Sequence, residues 1–412
     1  MKKMQYLSFL GVLMLLTIGL IACVDVSSSN SIEEEVNSKE ETHAVTPKVN
    51  QGEEIVKIGY SGPLSGAAAQ YGANVINGLK MALDEINEVG FIVNDTTYKL
   101  ELVALDDKYL PNETGINVKR IVSEDSPIAV WIPHSGGVFA TQVFNEQDDF
   151  IIMAQTSEPR MYEQGNKLMI GVSPQYNIWP ETYSKYMLEH FGTKMALLPT
   201  NSQYGMDWLN VIKPIWEDMG GEIVYESAID FAKETDYFTT MSNALNENPD
   251  VLFVGGPSEP TALVIKQAKE FGFDGGFMIM DQAKMEEMSG FLGGYEMLEG
   301  SIGALPIDQI NSQSSSNFVE TYKRLFDEQF ATADSSLSYQ SLYVLVEAMK
   351  VAGTVTDREA IMEAVNEGIQ NIPENKIVIP LKEMDEVGSL QWKFDAGAVE
   401  DGEVISIPFK IE

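Results

Sequence analysis

Cysteine, histidine and basic side chains are all scarce in this chain, and each scarcity removes a class of chemistry. Cys23 is the single cysteine of 412 residues, so the chain cannot close a disulfide on itself. The three histidines, His43, His134 and His190, lie far apart and lack zinc-binding spacing. Asp106 and Asp107 are adjacent carboxylates without the further oxygen ligands that calcium requires. Only 27 basic residues stand against 62 acidic ones, a formal charge of −35. Binding to nucleic acid or to an anionic lipid surface needs clustered cations, which such a balance does not supply. The Gly-x-Ser-x-Gly elbow and the Walker and dinucleotide glycine patterns are absent as well. An α/β enzyme therefore has no positive support, and the expectation is a non-enzyme without metal or cofactor.

What the chain does contain begins at its N-terminus. Lys2 and Lys3 precede an apolar run from Tyr6 to Ile21, which ends in Leu20-Ile21-Ala22-Cys23. The run is too short and wrongly flanked for a lasting membrane span, and reads as a secretory signal over residues 1–23. Small residues leading into a cysteine look like a bacterial lipobox. A diacylglycerol on Cys23 would anchor the mature chain outside the cytoplasm, each buried methylene contributing about 0.8 kcal/mol. Residues 24–52 then carry Ser27-Ser28-Ser29, Glu33-Glu34-Glu35, Glu40-Glu41 and Thr46-Pro47 with little apolar content. Such a segment cannot offset its ordering entropy by burial and reads as a disordered acidic tether.

The remaining stretch of about 360 residues exceeds one typical core and suggests two domains. Strand-like runs at Ile55–Tyr60, Leu100–Leu105, Ile128–Ile132, Phe150–Met153, Met195–Leu198, Ile223–Tyr225 and Val251–Val254 alternate with helical patterns. Among the helical patterns, Val75, Ile76, Leu79, Leu83 and Ile86 recur at helix spacing. Alternation of this kind predicts an α/β fold with parallel sheets and crossovers on both faces.

In such sheets ligands bind beyond the carboxyl ends of the strands. The loops expected there are rich in glycine and hydroxyl residues: Ser61-Gly62-Pro63-Leu64-Ser65-Gly66, His134-Ser135-Gly136-Gly137 and Gln155-Thr156-Ser157. One such loop merely caps a helix or makes a turn. Three on one sheet edge suit a bound carboxylate, held by N–H groups and hydroxyls.

The segment Ile58 to Gly66 followed by Ala69-Gln70-Tyr71-Gly72 resembles the opening of the branched-chain amino-acid-binding proteins. Leu105-Asp106-Asp107, Asn201-Ser202-Gln203-Tyr204-Gly205, Asp236-Tyr237-Phe238-Thr239 with Asp250–Gly256, and Tyr339–Ala348 match further segments in order. The resemblance spans nearly all of residues 54–412 and implies a type I periplasmic-binding-protein fold. That fold has two Rossmann-like lobes joined by a three-segment hinge. Expected boundaries are 54–174 with 306–354 for lobe one, and 175–305 with 355–412 for lobe two.

The resemblance also implies ligand contacts. The carboxylate would be held at Ser135, Gly136, Thr156 and Ser157, where Gly136 stands at the family's hydroxyl position and Pro159 replaces another. Asp281 matches the carboxylate that binds the ligand ammonium, although a helix cap is the alternative for a lone Asp. Tyr71 and Tyr204 match cleft aromatics, and a further aromatic is replaced at Pro257, with Ser258 beside it. The implied partners are a small amino-acid-like ligand and the permease subunits of an ABC importer, with the membrane reached through the lipid anchor only. A sensor with the same fold, presenting its closed state to a receptor, is the alternative.

Overall fold

The computed structural model describes residues 53–409; the signal, Cys23, the tether and the last three residues lie outside the described residues. The chain opens with β1 (Glu54–Gly62), α1 (Ala69–Val89), β2 (Phe91–Val93), β3 (Thr96–Asp106) and α2 (Pro111–Asp125). It continues through β4 (Ala129–Ile132), α3 (Ser135–Thr141), β5 (Ile151–Ala154) and β6 (Met169–Gly171). Next come α4 (Pro180–His190), β7 (Lys194–Pro199), α5 (Gln203–Asp218), β8 (Glu222–Glu226) and α6 (Phe238–Asn246). They are followed by β9 (Val251–Gly255), α7 (Ser258–Glu270), β10 (Gly276–Ile279), α8 (Met285–Leu292) and β11 (Ser301–Ala304). Three helices follow: α9 (Gln313–Phe326), α10 (Ala333–Ala352) and α11 (Arg358–Asn371). Short strands β12 (Leu381–Met384), β13 (Leu390–Trp392), β14 (Ala396–Glu400) and β15 (Glu403–Ile407) close the chain.

Two sheets organise these elements. The first has the order β2-β3-β1-β4-β5-β6, the second β15-β14-β11-β10-β9-β7-β8. Pairing is parallel except at the edges, where β2 runs against β3, and β14 and β15 form an antiparallel hairpin against β11. Each sheet is buried on both faces. In β4, Ala129 and Trp131 enter one core while Val130 and Ile132 enter another. In β7, Met195 and Leu197 face one core and Ala196 and Leu198 the other. The period of two thus sends alternate side chains to opposite helix layers, which explains the near-continuous apolar runs of the sequence.

The last part of the chain departs from the expected boundaries. Residues beyond 354 were expected in lobe two, but α11 packs against α10, and Ile361, Val365, Ile369, Val378, Ile379 and Leu390 join the core of β1 and α1. The reason lies in α10, which is buried without interruption from Asp334 to Met349 and therefore must be covered on several sides. Helix α1 covers one side and α11 another. Strands β12 and β13 pair antiparallel as a small sheet of their own, tied to the first lobe by Trp392 Nε1, which donates to the Val172 carbonyl at 2.6 Å, and only β14 and β15 join the second sheet. The third crossing falls between β13 and β14.

Candidate functional site

The carboxyl ends of the central parallel strands face each other across a cleft, and the loops that leave them supply its walls. A small cavity is lined by Tyr71, Tyr109, Pro133, His134, Thr156, Ser157 and Ser173 from the first lobe. Tyr204, Asp281, Gln282 and Lys284 line it from the second, and Asp334 enters from the first turn of α10.

Glycine in α1 sets how closely the first loop can pack. A Cβ on Gly72 would lie 1.5 Å from the Pro63 carbonyl oxygen, so only glycine admits the loop that follows β1. One residue earlier, the Tyr71 hydroxyl donates to the Gln155 carbonyl at 3.1 Å and so ties α1 to the end of β5. Burial, followed by the nearby Asp334 charge, pushes the Tyr71 hydroxyl well above the usual phenol range, so it stays protonated as a donor.

Asp106 and Asp107 act on the backbone. Asp106 Oδ1 accepts the Lys108 N–H and Asp107 Oδ1 the Tyr109 N–H, both at 2.9 Å. These bonds hold Lys108 and Tyr109 at φ of 56° and 65°, a left-handed pair that non-glycine residues seldom adopt in succession. The strained turn aims Tyr109 at the cleft, where its hydroxyl accepts from Gln282 Nε2 at 3.3 Å across the lobes. His134 caps α3 by accepting the Gly137 N–H on Nδ1 at 3.0 Å, which leaves the ring proton on Nε2 to face Asp107 Oδ2 at 3.0 Å. His134 thus makes local hydrogen bonds at the wall of the cavity.

In the second lobe, Asp281 follows β10 and is held on one oxygen. Its Oδ1 accepts from the Tyr204 hydroxyl at 2.5 Å and from Trp208 Nε1 at 2.9 Å. The Tyr204 oxygen also accepts the Gln282 N–H at 3.1 Å. Helix α5 thereby fixes the rotamer of Asp281, while Oδ2 receives neither bond and retains its capacity to accept from a ligand. Asp281 does not cap the next helix; Lys284 occupies the N-cap position of α8.

Of the sequence-predicted residues, the structure brings Tyr71, Thr156, Ser157, Tyr204 and Asp281 together around the cavity. Ser135, Gly136 and Ser258 are not among its lining residues. Gly136 stands against α2, since a Cβ there would lie 2.6 Å from Pro111 Cγ. The Ser258 hydroxyl donates to Glu287 Oε2 at 2.5 Å and accepts the Lys284 N–H at 3.0 Å, so it is committed within the second lobe. Glu287 Oε1 accepts in turn from Asn74 Nδ2 of α1 at 2.6 Å, a contact between the lobes.

Sequence reasoning missed Tyr109, Gln282, Lys284 and Asp334. Lys284 and Asp334 come from different lobes and are both buried, with Nζ 3.2 Å from Asp334 Oδ2. Burial works to lower the Lys284 ammonium, but the Asp334 and Asp281 charges outweigh it and raise its pKa. Burial pushes Asp334 up to about 6, with Lys284 opposing. Behind this pair a second small, largely apolar cavity lies where the chain passes between lobes, lined by Pro174, Trp179, Leu305, Ile307, Leu337 and Phe394 among others. The two cavities share Ser173, Asp281, Lys284 and Asp334.

Comparison with known proteins places this architecture. The periplasmic binding protein family matches residues 55–374. A leucine-, isoleucine-, valine-, threonine- and alanine-binding protein of Pseudomonas aeruginosa is 23% identical over 357 residues, covering 84% of this chain and 92% of that protein. The Leu/Ile/Val/Thr-binding protein of Salmonella typhimurium is 24% identical over 253 residues, 61% of this chain and 68% of that protein. A leucine-binding protein from Thermotoga maritima superimposes with a TM-score of 0.71 at 22% identity, covering 85% of this chain and 97% of that one. A Rhodopseudomonas palustris solute-binding protein in complex with benzoate has a TM-score of 0.72 at 14% identity, covering 86% and 96%. The chain belongs to the periplasmic binding protein family, with the type I fold of the branched-chain amino-acid-binding proteins.

Proposed function

We propose that this protein captures an amino acid, or a related small carboxylate or amide, in the cleft between its lobes and delivers it to an ABC importer. The observation that carries this reading is the meeting of Tyr71, Thr156 and Ser157 from one lobe with Tyr204 and Asp281 from the other around one cavity. Hydroxyl groups of the first lobe suit a carboxylate, and the spare oxygen of Asp281 suits an ammonium or amide N–H. Contacts on both lobes make the closed form the one that ligand stabilises, and a permease that recognises that form receives only loaded protein. The names of the relatives, which refer to leucine, isoleucine, valine and related amino acids, support the amino-acid class. A lipid on Cys23 would hold the protein at the outer face of the membrane. Among the described residues no helix is long and apolar enough to cross a membrane.

Thermal unfolding of the full chain against amino acids, amides and small aromatic acids tests the reading. A true ligand raises the midpoint by mass action, with about 4.1 kcal/mol of stabilisation at a thousandfold excess over its Kd. The shift should disappear in Asp281→Ala. A panel that leaves the midpoint unmoved throughout would sink the reading.

A further inference from the structure

The two halves of the site are joined by a side chain that is not among the cavity's lining residues. Tyr176 follows the first crossing between lobes and is buried in the core of the second, with Trp208 and Phe253. Its polar atoms turn back to the first lobe. The Tyr176 N–H donates to the Ser157 carbonyl at 2.8 Å, and its hydroxyl donates to Glu158 Oε1 at 3.2 Å. Burial, followed by the Glu158 charge, holds that hydroxyl well above the usual phenol range, so it stays a donor. The Tyr176 ring stacks on the Trp208 indole, with centroids 5.4 Å apart and planes at 30°. Trp208 Nε1 in turn donates to Asp281 Oδ1 at 2.9 Å. Tyr176 is thus pinned to consecutive residues of the first lobe and, through Trp208, to the carboxylate of the second.

We infer that Tyr176 is a positioning residue that fixes the separation between Thr156-Ser157 and Asp281 in the closed form, and that capture therefore selects solutes by the spacing between their carboxylate and their ammonium. The inference rests on the cleft being the capture site proposed above. A hinge by itself leaves the closing angle soft, since a few backbone rotations move one lobe against the other. Two hydrogen bonds and a stack on one buried side chain replace that freedom with a single packed arrangement. Any other angle would take a donor from the buried Glu158 carboxylate or part the Tyr176 ring from Trp208. A solute whose two ends match the fixed spacing meets both halves at once. One with a methylene more or fewer between its ends satisfies one half and leaves polar groups of the other unpaired, the case that such sites reject.

Isothermal titration of the full chain with the α-, β- and γ-isomers of aminobutyrate tests this, because the three share a composition and differ in the spacing of carboxylate from ammonium. One isomer should bind about tenfold or more tighter than the other two. In Tyr176→Leu, which loses both the stack and the hydroxyl bond, that ratio should collapse towards one. Tyr176→Phe keeps the stack and should narrow the ratio by less. The ratio is the readout because a variant that only loosens the fold weakens all three isomers alike, and a melting curve reports folding separately. Should Tyr176→Leu not fold, Tyr176→Phe still decides. Isomers bound alike by the wild type, or an unchanged ratio in the folded variants, would overturn the inference while leaving solute capture standing. So would binding of some other member of the wider panel when none of the three isomers binds. Binding of no solute at all would remove both.

Discussion

Charge spans the cleft in two places, and the two bridges differ in what surrounds them. At the floor, Lys284 and Asp334 are both buried, one base to one acid, with Asp281 close by. Nearer the solvent, Arg160 of the first lobe is partly exposed and binds Glu158 of its own lobe at 3.1 Å and Asp207 of the second lobe. That outer cluster holds two buried acids against one base. The Tyr176 hydroxyl donates to Glu158 Oε1 at 3.2 Å, and Gln203 Nε2 donates to Asp207 Oδ1 at 2.8 Å. Burial, with Glu158 beside it, pushes Asp207 up to about 7; burial also works to raise Glu158, but Asp207 and Arg160 outweigh it and hold that carboxyl below its ordinary value. The outer bridge is thus one cation short and shares a proton, whereas the floor is balanced in its own pair. A proton satisfies the first, and the partner across the lobes satisfies the second.

The comparison can be broken in order of effect. Lys284→Met alone strands Asp334 as a buried, unpaired acid and should lower stability by about 3–5 kcal/mol, read from chemical unfolding. If Lys284→Met and the double variant Lys284→Met, Asp334→Leu melt alike, the pair does not act as a unit. Next comes the outer bridge. Between the ordinary carboxylate value of 3.8 and about 7 the closed form holds a proton on Asp207 that separated lobes would release. Ligand affinity should therefore fall as pH rises through that window, by at most about tenfold per unit, and level off above it. Asp334 contributes in the same sense up to about 6 and burial holds Glu286 up to about 8, so between about 6 and about 7 the share of Asp207 is read by substitution. Asp207→Asn should flatten titrations over that interval; an unchanged slope would remove Asp207 from the linkage. The smallest effect concerns the Glu287 contact, where Asn74→Ala removes one hydrogen bond between lobes. It should weaken ligand binding by about 1 kcal/mol without altering the order of ligands. A changed order would place Asn74 in recognition.

How far the site was legible follows from where each residue sits relative to a strand. Asp281, Thr156 and Ser157 stand just past strand ends, where the class of sheet already directs ligand contacts, and Tyr204 begins the helix after β7. Ser135 and Gly136 occupy an equally suitable place in sequence, yet the His134 cap starts α3 at once and Gly136 packs towards α2. Tyr109 was hidden because its position depends on two successive left-handed residues held by Asp106 and Asp107. Lys284 and Asp334 look like ordinary helix-start residues, and fifty positions separate them in the chain.

The sequence by itself determined the α/β class, the family and the positions of β1, β3, β4, β5, β7, β8 and β9, because burial on both faces of a parallel sheet writes near-continuous apolar runs. It also ruled out a disulfide within the chain, since Cys23 is the single cysteine. Only the tertiary structure decided that α11 covers α10 and that the third crossing follows β13, because a helix apolar on every side does not specify its cover. It alone decided the meeting of Lys284 with Asp334, for a long-range ion pair leaves no periodicity along the chain and exists only once two lobes bring their helix starts to the same cleft.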